Sequence, residues 1–499
     1  MKKFLCIIAL ALLTATAGKA DDRIRTHFVQ SELVKQILVV SDIHTMAPSL
    51  VTKSGSAFEN YEKNDMRMIA QSGEILDAIV ERAEQLRPGA VLITGDLTKD
   101  GERQSHEYVI SKLQRLRKLG IKVLVIPGNH DISNPNACSF NGKKTQAVAT
   151  IDRDTFTHLY ADFGYAYDSQ YDPNSLSYVT EVLPGLVLIA IDSNRDEENL
   201  LKSRGDSVDS YHNGGRIKPE TMQWIAEQAA QAHAEGKQVI AAMHHHAVQH
   251  FDKEQALMPN YIVENAAEVR EQLMAAGIHL VLTGHLHVND IALNHNIAGN
   301  DSIYEIATGS AITYPFAYRL ISPSAERDQL LVTTEYITSV PSCRNLKEAG
   351  RNKLAHAAES MAATVANRLW SKLDGKLGKV AGMLAMMEAP IKLPESAEDL
   401  QKIAMRYFKE PLQMALMEFV EADESSRDNA HITEAFKQQF KTALNDMFHG
   451  EGGRITDFLV EELFPKLEPM LKSVIEDRNQ CGTSHETIVR DLNTALPLY

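Results

Sequence analysis

Between residues 36 and 335 the chain repeats one arrangement that few folds accommodate: a short apolar run, a helical pattern, then another apolar run. The runs are QILVVSD (36–42), AVLITGD (90–96), KVLVIPGNHD (122–131), LVLIAIDSN (186–194), QVIAAMHHH (238–246), HLVLTGHLH (279–287) and IYEIATGS (303–310). Their apolar parts are mostly rich in β-branched residues, the composition of strands covered on both faces. Between two of them Ile69, Leu76, Ile79, Val80, Ala83 and Leu86 trace one stripe at three-and-four spacing, the mark of a helix packed on a core. Trp224 and Ile225, with neighbouring alanines, begin another. Strand–helix alternation of this kind specifies an α/β domain, placed here over residues 21–340.

Five of the runs end in metal- or proton-handling side chains. The endings are Asp42-Ile43-His44, Gly95-Asp96, Gly128-Asn129-His130-Asp131, His244-His245-His246 and Gly284-His285-Leu286-His287. Open α/β sheets bind ligands beyond the carboxyl ends of their strands. Singly, an Asp-x-His or a Gly-Asp is ordinary turn chemistry. In this order, each after a strand, they converge on one sheet edge and describe a site.

The ordered series resembles the calcineurin-like metallophosphoesterase superfamily over about residues 36–320. The resemblance implies two packed mixed β-sheets flanked by helices, with a dinuclear metal centre at one end. Carried over motif by motif, Asp42, His44 and His287 are expected on one metal, and Asn129, His244 and His285 on the other. Asp96 is expected to bridge them. His130 is expected to protonate the leaving oxygen, with Asp131 supporting a neighbour. Two divalent ions such as Mn, Fe or Zn suit imidazole, carboxylate and amide ligands. Such a pair activates water and stabilises charge on a phosphoryl group. Strand alternation leaves His246 as a rival to His244. His212 and His250 are candidates for the mouth of the site, His106 is a helix residue, and Arg319 is a candidate contact to substrate phosphate.

Departures narrow the family. Purple acid phosphatases carry a tyrosine three residues after the bridging aspartate, where this chain has Lys99. Protein serine/threonine phosphatases have Asp-Arg-Gly there, against KDG here. The nearest likeness is to bacterial class III cyclic-nucleotide phosphodiesterase-like proteins with a C-terminal helical domain, with SLSYV (175–179), GRIKPETMQWI (215–225) and YPFAYR (314–319) adding to it. The implied activity is hydrolysis of a cyclic nucleotide or related small phosphodiester. A phosphomonoesterase, a lipid-head-group phosphodiesterase and an inactive binding protein of the same fold stand as alternatives.

Outside this domain, residues 1–20 place Lys2 and Lys3 before an apolar run and small residues, the layout of a cleaved secretory signal. A periplasmic or secreted enzyme is therefore expected. Without those residues, which hold three lysines and no acid, 48 basic against 66 acidic residues leave about −18. Such a charge disfavours polymeric nucleic acid as partner and leaves a small phosphate ester possible through the metals. No later stretch is apolar enough for a stable membrane span. Residues 341–499 read as a separate helical bundle. Phe436, Phe440, Leu444, Met447 and Phe448 form one apolar face, and Ile455, Phe458, Leu459, Leu463 and Leu467 another, until Pro465 and Pro469 bend or end the helix. Pro394, Ser396 and Asp399 mark a capped helix start. Cys343 and Cys481 are candidates for a disulfide. Oligomeric state is not encoded in any of these features.

Overall fold

All seven apolar runs are strands in the computed structural model, which describes residues 35–165, 169–324, 329–357, 367, 393–422, 429–450, 453–476 and 493–497. In chain order the strands are β1 (Ile37–Val40), β2 (Val51–Lys53), β3 (Ala90–Thr94), β4 (Lys122–Ile126), β5 (Cys138–Asn141), β6 (Lys144–Ala147), β7 (Gln170–Tyr171) and β8 (Tyr178–Leu183). They continue as β9 (Leu186–Ile191), β10 (Gln238–Met243), β11 (Leu280–Thr283), β12 (Asp290–His295), β13 (Ser302–Ala307), β14 (Ala317–Pro323), β15 (Gln329–Tyr336) and β16 (Asn493–Pro497). One mixed sheet has the order β16-β15-β14-β1-β3-β4 and the other β12-β13-β11-β10-β9-β8-β7. A small third sheet joins β2, β5 and β6. The signal-like residues 1–20 and Cys481 lie outside the described residues.

Side-chain alternation decides which faces meet. In β9 and β10, Leu188, Ala190, Ile240 and Ala242 pack into a core shared with β1, β3 and β4. Their neighbours Val187, Ile189, Ile191, Val239, Ala241 and Met243 pack the opposite way, against Met222 and Ile225 of the helix Pro219–Ala234 and Val269 and Leu273 of the helix Ala266–Ala275. On the far side of the first sheet lie the helices Ser72–Leu86 and Arg103–Lys118, which bury Ile75, Leu76, Ile79 and Val80, and Val109, Leu113 and Leu116. The layers are thus helix, sheet, sheet, helix. Each large aliphatic side chain fully buried in this way contributes about 1.5–3 kcal/mol.

β1, β3 and β4 run parallel in unbroken register, as do β9 and β10. Within each sheet their carboxyl ends therefore arrive side by side, and the packing of one sheet on the other gathers the polar endings of both. Arg319 is corrected by its place in β14. Its side chain is fully buried and donates to Thr334 Oγ1 at 2.8 Å and Ala307 O at 2.9 Å, so it stands inside the fold rather than facing a substrate.

The region after 340 holds helical residues 346–357 and the helices Ala397–Ile403, Lys409–Glu421, Ala430–Met447 and Gly453–Ile475. Ser396 caps the first of the four named helices by accepting from Asp399 N at 3.1 Å. Two expectations change. The helix Gly453–Ile475 continues through Pro465 and Pro469, which both lie on an exposed face where water can take the carbonyls they leave unpaired. The region is also not all helix, because β16 pairs antiparallel with β15 from Gln329↔Pro497 to Thr333↔Asn493. Among the described residues no helix is long and apolar enough to cross a membrane.

Candidate metal centre

The ligand-bearing loops begin with unusual backbone. Asp42, His44, Asp96, His285 and His287 all have positive φ, between 33° and 67°. Non-glycine residues rarely adopt this region, and each instance costs on the order of 1–3 kcal/mol. Inter-loop hydrogen bonds hold them there: Asp42 N donates to Gly95 O at 3.1 Å, and His44 N to Asp96 O at 2.9 Å. The loops also approach closely. A Cβ on Gly128 would lie 2.1 Å from Asp96 Oδ1, and one on Gly284 would lie 1.9 Å from Ser41 Oγ. Only glycine fits either place.

Two groups result. Asp42, His44, Asp96 and His287 bring ligand atoms within 4.8 Å of one another, and Asp96, His244 and His285 do the same. Asp96 belongs to both. In the first group His44 Nε2 lies 3.2 Å from His287 Nε2 and 3.5 Å from Asp96 Oδ2, while His287 Nε2 lies 3.2 Å from Asp42 Oδ1. In the second, His244 Nε2 lies 3.4 Å from Asp96 Oδ2 and 3.0 Å from Asn129 Oδ1. His244 Nδ1–H donates to Thr94 O at 2.8 Å, which turns its other nitrogen toward Asp96. His246 is turned elsewhere, donating from Nε2 to Gly284 O at 2.8 Å. The geometry therefore brings His244, not His246, to Asp96.

These residues fit metal ions. Asp42 Oδ1 is buried with no hydrogen-bond donor, while Oδ2 accepts from His285 N and Ser41 Oγ. One oxygen is anchored and the other is left toward His287, an arrangement a cation satisfies. Burial opposes the charge on Asp96, yet His244, His130 and His44 around it hold its carboxyl well below the usual range. Burial likewise opposes a charge on His244, but Asp96 pushes it up to about 9. By contrast, burial first and then Arg67 hold His44, and burial first and then His245 hold His285, well below the ordinary imidazole value.

His130 stands beside the groups, its Nε2 4.0 Å from Asp96 Oδ2. Its backbone N–H donates to Asp96 Oδ1 at 2.9 Å. The ring is fixed through Nδ1, which lies 2.8 Å from Lys99 O and 3.0 Å from Asp100 Oδ1. Burial works against protonation of this ring, but Asp96 and Asp100 prevail and raise its pKa. Asp131 is fully buried and accepts from Leu97 N, Thr98 N, Thr98 Oγ1 and Gly128 N at 2.8–3.1 Å. It ties the loop after β3 to the loop after β4, a positioning task rather than contact with a reacting atom.

Several neighbours escaped the sequence reading. Lys99 is fully buried between Asp100 and Glu102, and Asp100 in turn orients His130. An acid four residues beyond Asp96 was the available signal. Arg67 reaches His44 Nδ1 at 3.1 Å while paired with Asp65 and Tyr61, and Tyr211 OH accepts from Asn129 Nδ2. Neither lies on a strand end, so the pattern could not reveal them. Of the other candidates, His106 is buried in its helix, with ring nitrogens 2.9 Å from Tyr160 Oη and from Asp131 O. His212 is half-buried. His250 is not at the mouth but buried against Asp290 and Glu305.

A family model described as calcineurin-like phosphoesterase matches residues 35–289. The chain is similar to a probable cyclic nucleotide phosphodiesterase of Moraxella catarrhalis (strain BBH18), with 23% identity over 212 residues, 42% of this chain and 62% of that protein. A protein of the same description from Vesicomyosocius okutanii subsp. Calyptogena okutanii (strain HA) is 38% identical over 66 residues, 13% of this chain and 27% of its own length. The chain thus spans less than two thirds of either relative. Among solved structures, a dimetal phosphatase from Danio rerio aligns with a TM-score of 0.41 and 14% identity, over 61% of this chain and 96% of that one. A purple acid phosphatase from yellow lupin (Lupinus luteus) seeds aligns with a TM-score of 0.36 and 12% identity, over 61% and 52%.

Proposed function

Since this chain belongs to the calcineurin-like phosphoesterase family, we propose that it is an exported enzyme that uses two divalent metal ions, Mn, Fe or Zn, to hydrolyse a cyclic nucleotide or a related small phosphodiester. The observation that carries this reading is the sharing of Asp96 by two groups of ligand atoms, all buried except the half-buried His287. In the proposal Asp42, His44, Asp96 and His287 hold one ion, and Asp96, Asn129, His244 and His285 the other. When bound, such a pair supplies activated water and neutralises charge on the phosphoryl oxygens.

The chain's own residues do the rest. His130 keeps Nδ1 on Lys99 O and Asp100, leaving Nε2 to deliver a proton to the departing oxygen. Asp131 holds the loops that carry Asp96 and Asn129 in register. Lys99 neutralises Asp100 and Glu102, so that the group orienting His130 is not itself an uncompensated buried charge. The diester preference rests on the names of the two partial relatives. Export rests on the signal-like layout of residues 1–20.

Turnover of bis(p-nitrophenyl) phosphate is the first test. It should be lost on chelation and restored by Mn, Fe or Zn. A panel of cyclic nucleotides, nucleotide diesters, phosphocholine diesters and monoesters on the reconstituted protein then fixes the substrate. Preferential turnover of monoesters would replace the diester reading with a phosphomonoesterase, and no turnover by metal-loaded protein would reject hydrolysis altogether.

A further inference from the structure

The stretch HHHAVQH (244–250) sends only its first histidine to the Asp96 centre. His246 and His250 turn the other way into a second buried cluster with Glu254, Asp290 and Glu305. Of these residues none is more than 6% exposed, and His246, Glu254 and Glu305 are fully buried. Ligand atoms of His246, His250 and Glu305 lie within 4.8 Å of one another, the same spacing found in the two Asp96 groups.

Both imidazoles have one nitrogen committed to an outer acceptor and the other aimed at a carboxylate. His250 Nδ1 pairs with Asp290 Oδ2, and its Nε2 lies 3.0 Å from Glu305 Oε1. A carbonyl can only accept, so His246 bonds Gly284 O through Nε2–H and its Nδ1 presents a lone pair. That Nδ1 faces Glu254 Oε1 at 3.2 Å. The pair is close enough for a hydrogen bond but lacks its geometry, and both atoms are buried without a hydrogen-bond partner. The carboxylates are anchored by their other oxygens: Glu305 Oε2 accepts from Ala247 N and Val248 N, and Glu254 Oε2 from His250 N. Each inner oxygen is thereby presented to a histidine; Glu305 Oε1 also accepts from Thr283 Oγ1 at 3.3 Å.

An imidazole fixed through one nitrogen by a carboxylate or backbone carbonyl is the usual support of a metal ligand. The separations of 3.0 and 3.2 Å approach the roughly 3.4 Å edge of a tetrahedron of N and O atoms around Zn²⁺. Three carboxylates also concentrate negative charge here. The nearby guanidinium of Arg270 donates to Ala247 O, and that of Arg319 to Ala307 O.

We propose that His246, His250 and Glu305, with Glu254 beside His246 Nδ1 as the fourth donor, form a third, structural metal site for Zn²⁺ or a similar borderline divalent ion, separate from the Asp96 centre. The ion would clip the end of β10 to β13 and to the helix Glu254–Leu257. His244 lies two residues before His246, and Gly284 precedes His285, so the clip would hold two strand ends of the main site.

Metal content tests this without reference to turnover. Purified full chain loaded with Zn²⁺ and desalted should retain three equivalents by plasma mass spectrometry, and the Glu254→Gln/Glu305→Gln double variant should retain two. Two equivalents in the wild type, or a third that survives in the double variant, would overturn the site. Because that variant can lose its fold, zinc-edge anomalous scattering from wild-type crystals provides the second measurement. A peak enclosed by the four side chains is expected, and peaks at the Asp96 centre alone would reject the proposal.

Discussion

The helices Ser72–Leu86 and Gly453–Ile475 carry the same kind of apolar stripe and meet different fates. In the first, Ile75, Leu76, Ile79, Val80 and Ala83 are all buried beneath the sheet. In the second, Ile455, Phe458, Leu463 and Leu467 are exposed, Phe458 at 60%. Periodicity announces a face but not its partner. The first helix lies beside parallel strands that the same pattern of residues predicts. The second leaves its expected stripe largely in water and buries a different face, with Val460 and Phe464 at 5% and Ile475 at 0% exposure. The α/β part thus concentrates the polar chemistry and the larger cores, while the described helices after 340 pack around a small cluster of Ala415, Ile432 and Ile475.

Substitutions in the two regions test this contrast. The largest effect is expected from Asp96→Asn, which removes the carboxylate common to both ligand groups. Diester turnover should fall on the order of a thousandfold or more, with metal loss seen by mass spectrometry. Retention of both metals and of turnover would sink the shared-ligand reading. Next comes His130→Asn, which should cost about 10²–10⁴-fold in turnover while leaving metal content unchanged. Unaltered turnover would remove His130 from the mechanism.

Stability should divide along the same line. Ile79→Ala should cost about 2–5 kcal/mol in urea unfolding, because it empties a packed site. Phe458→Ala should stay within about 0.5 kcal/mol, since the ring is already mostly in water. Equal costs would show that something covers Phe458 in solution.

A pH-dependent effect is expected from His106, whose burial pushes its pKa from 6.5 down to about 4 against the hydrogen bond to Asp131 O. The unfolded chain takes up this proton first as pH falls. The stabilisation is therefore complete above the ordinary value and is lost between about pH 6.5 and 4, amounting to about 2 kcal/mol at pH 5. His106→Gln should reduce the stability difference between pH 7 and pH 5 by that amount. An unchanged difference would mean that other groups govern the acid limb.

How much of this was legible in the sequence depended on distance along the chain. The seven buried strands announced themselves because each is a contiguous apolar run, and their polar endings came into view with them. Asp42 and Asp96 follow parallel neighbours in one sheet, His244 and His285 follow parallel neighbours in the other, and the packing of the two sheets brings the pairs together. Arg67 and Tyr211 were invisible for the opposite reason: each enters from a loop whose sequence has no period and whose target is set only by the finished fold. Arg319 misled because an arginine near a strand invites a surface role, whereas β14 encloses it between Thr334 and Ala307 O. The prolines misled because their cost depends on solvent access to the freed carbonyls, which composition does not disclose.

The pairing of β16 with β15 has a practical consequence. The change in composition near residue 340 invites a cut there, but the fold does not end where the composition changes. Leu496 is 2% exposed against the first sheet, opposite Leu330. A chain trimmed at 340 would lose that strand and leave the N–H and C=O groups of β15 unpaired along an edge where Leu331 is already 40% exposed. Such an edge is a template for strand addition by another molecule. The shortened protein should therefore self-associate, whatever the state of its metal ligands.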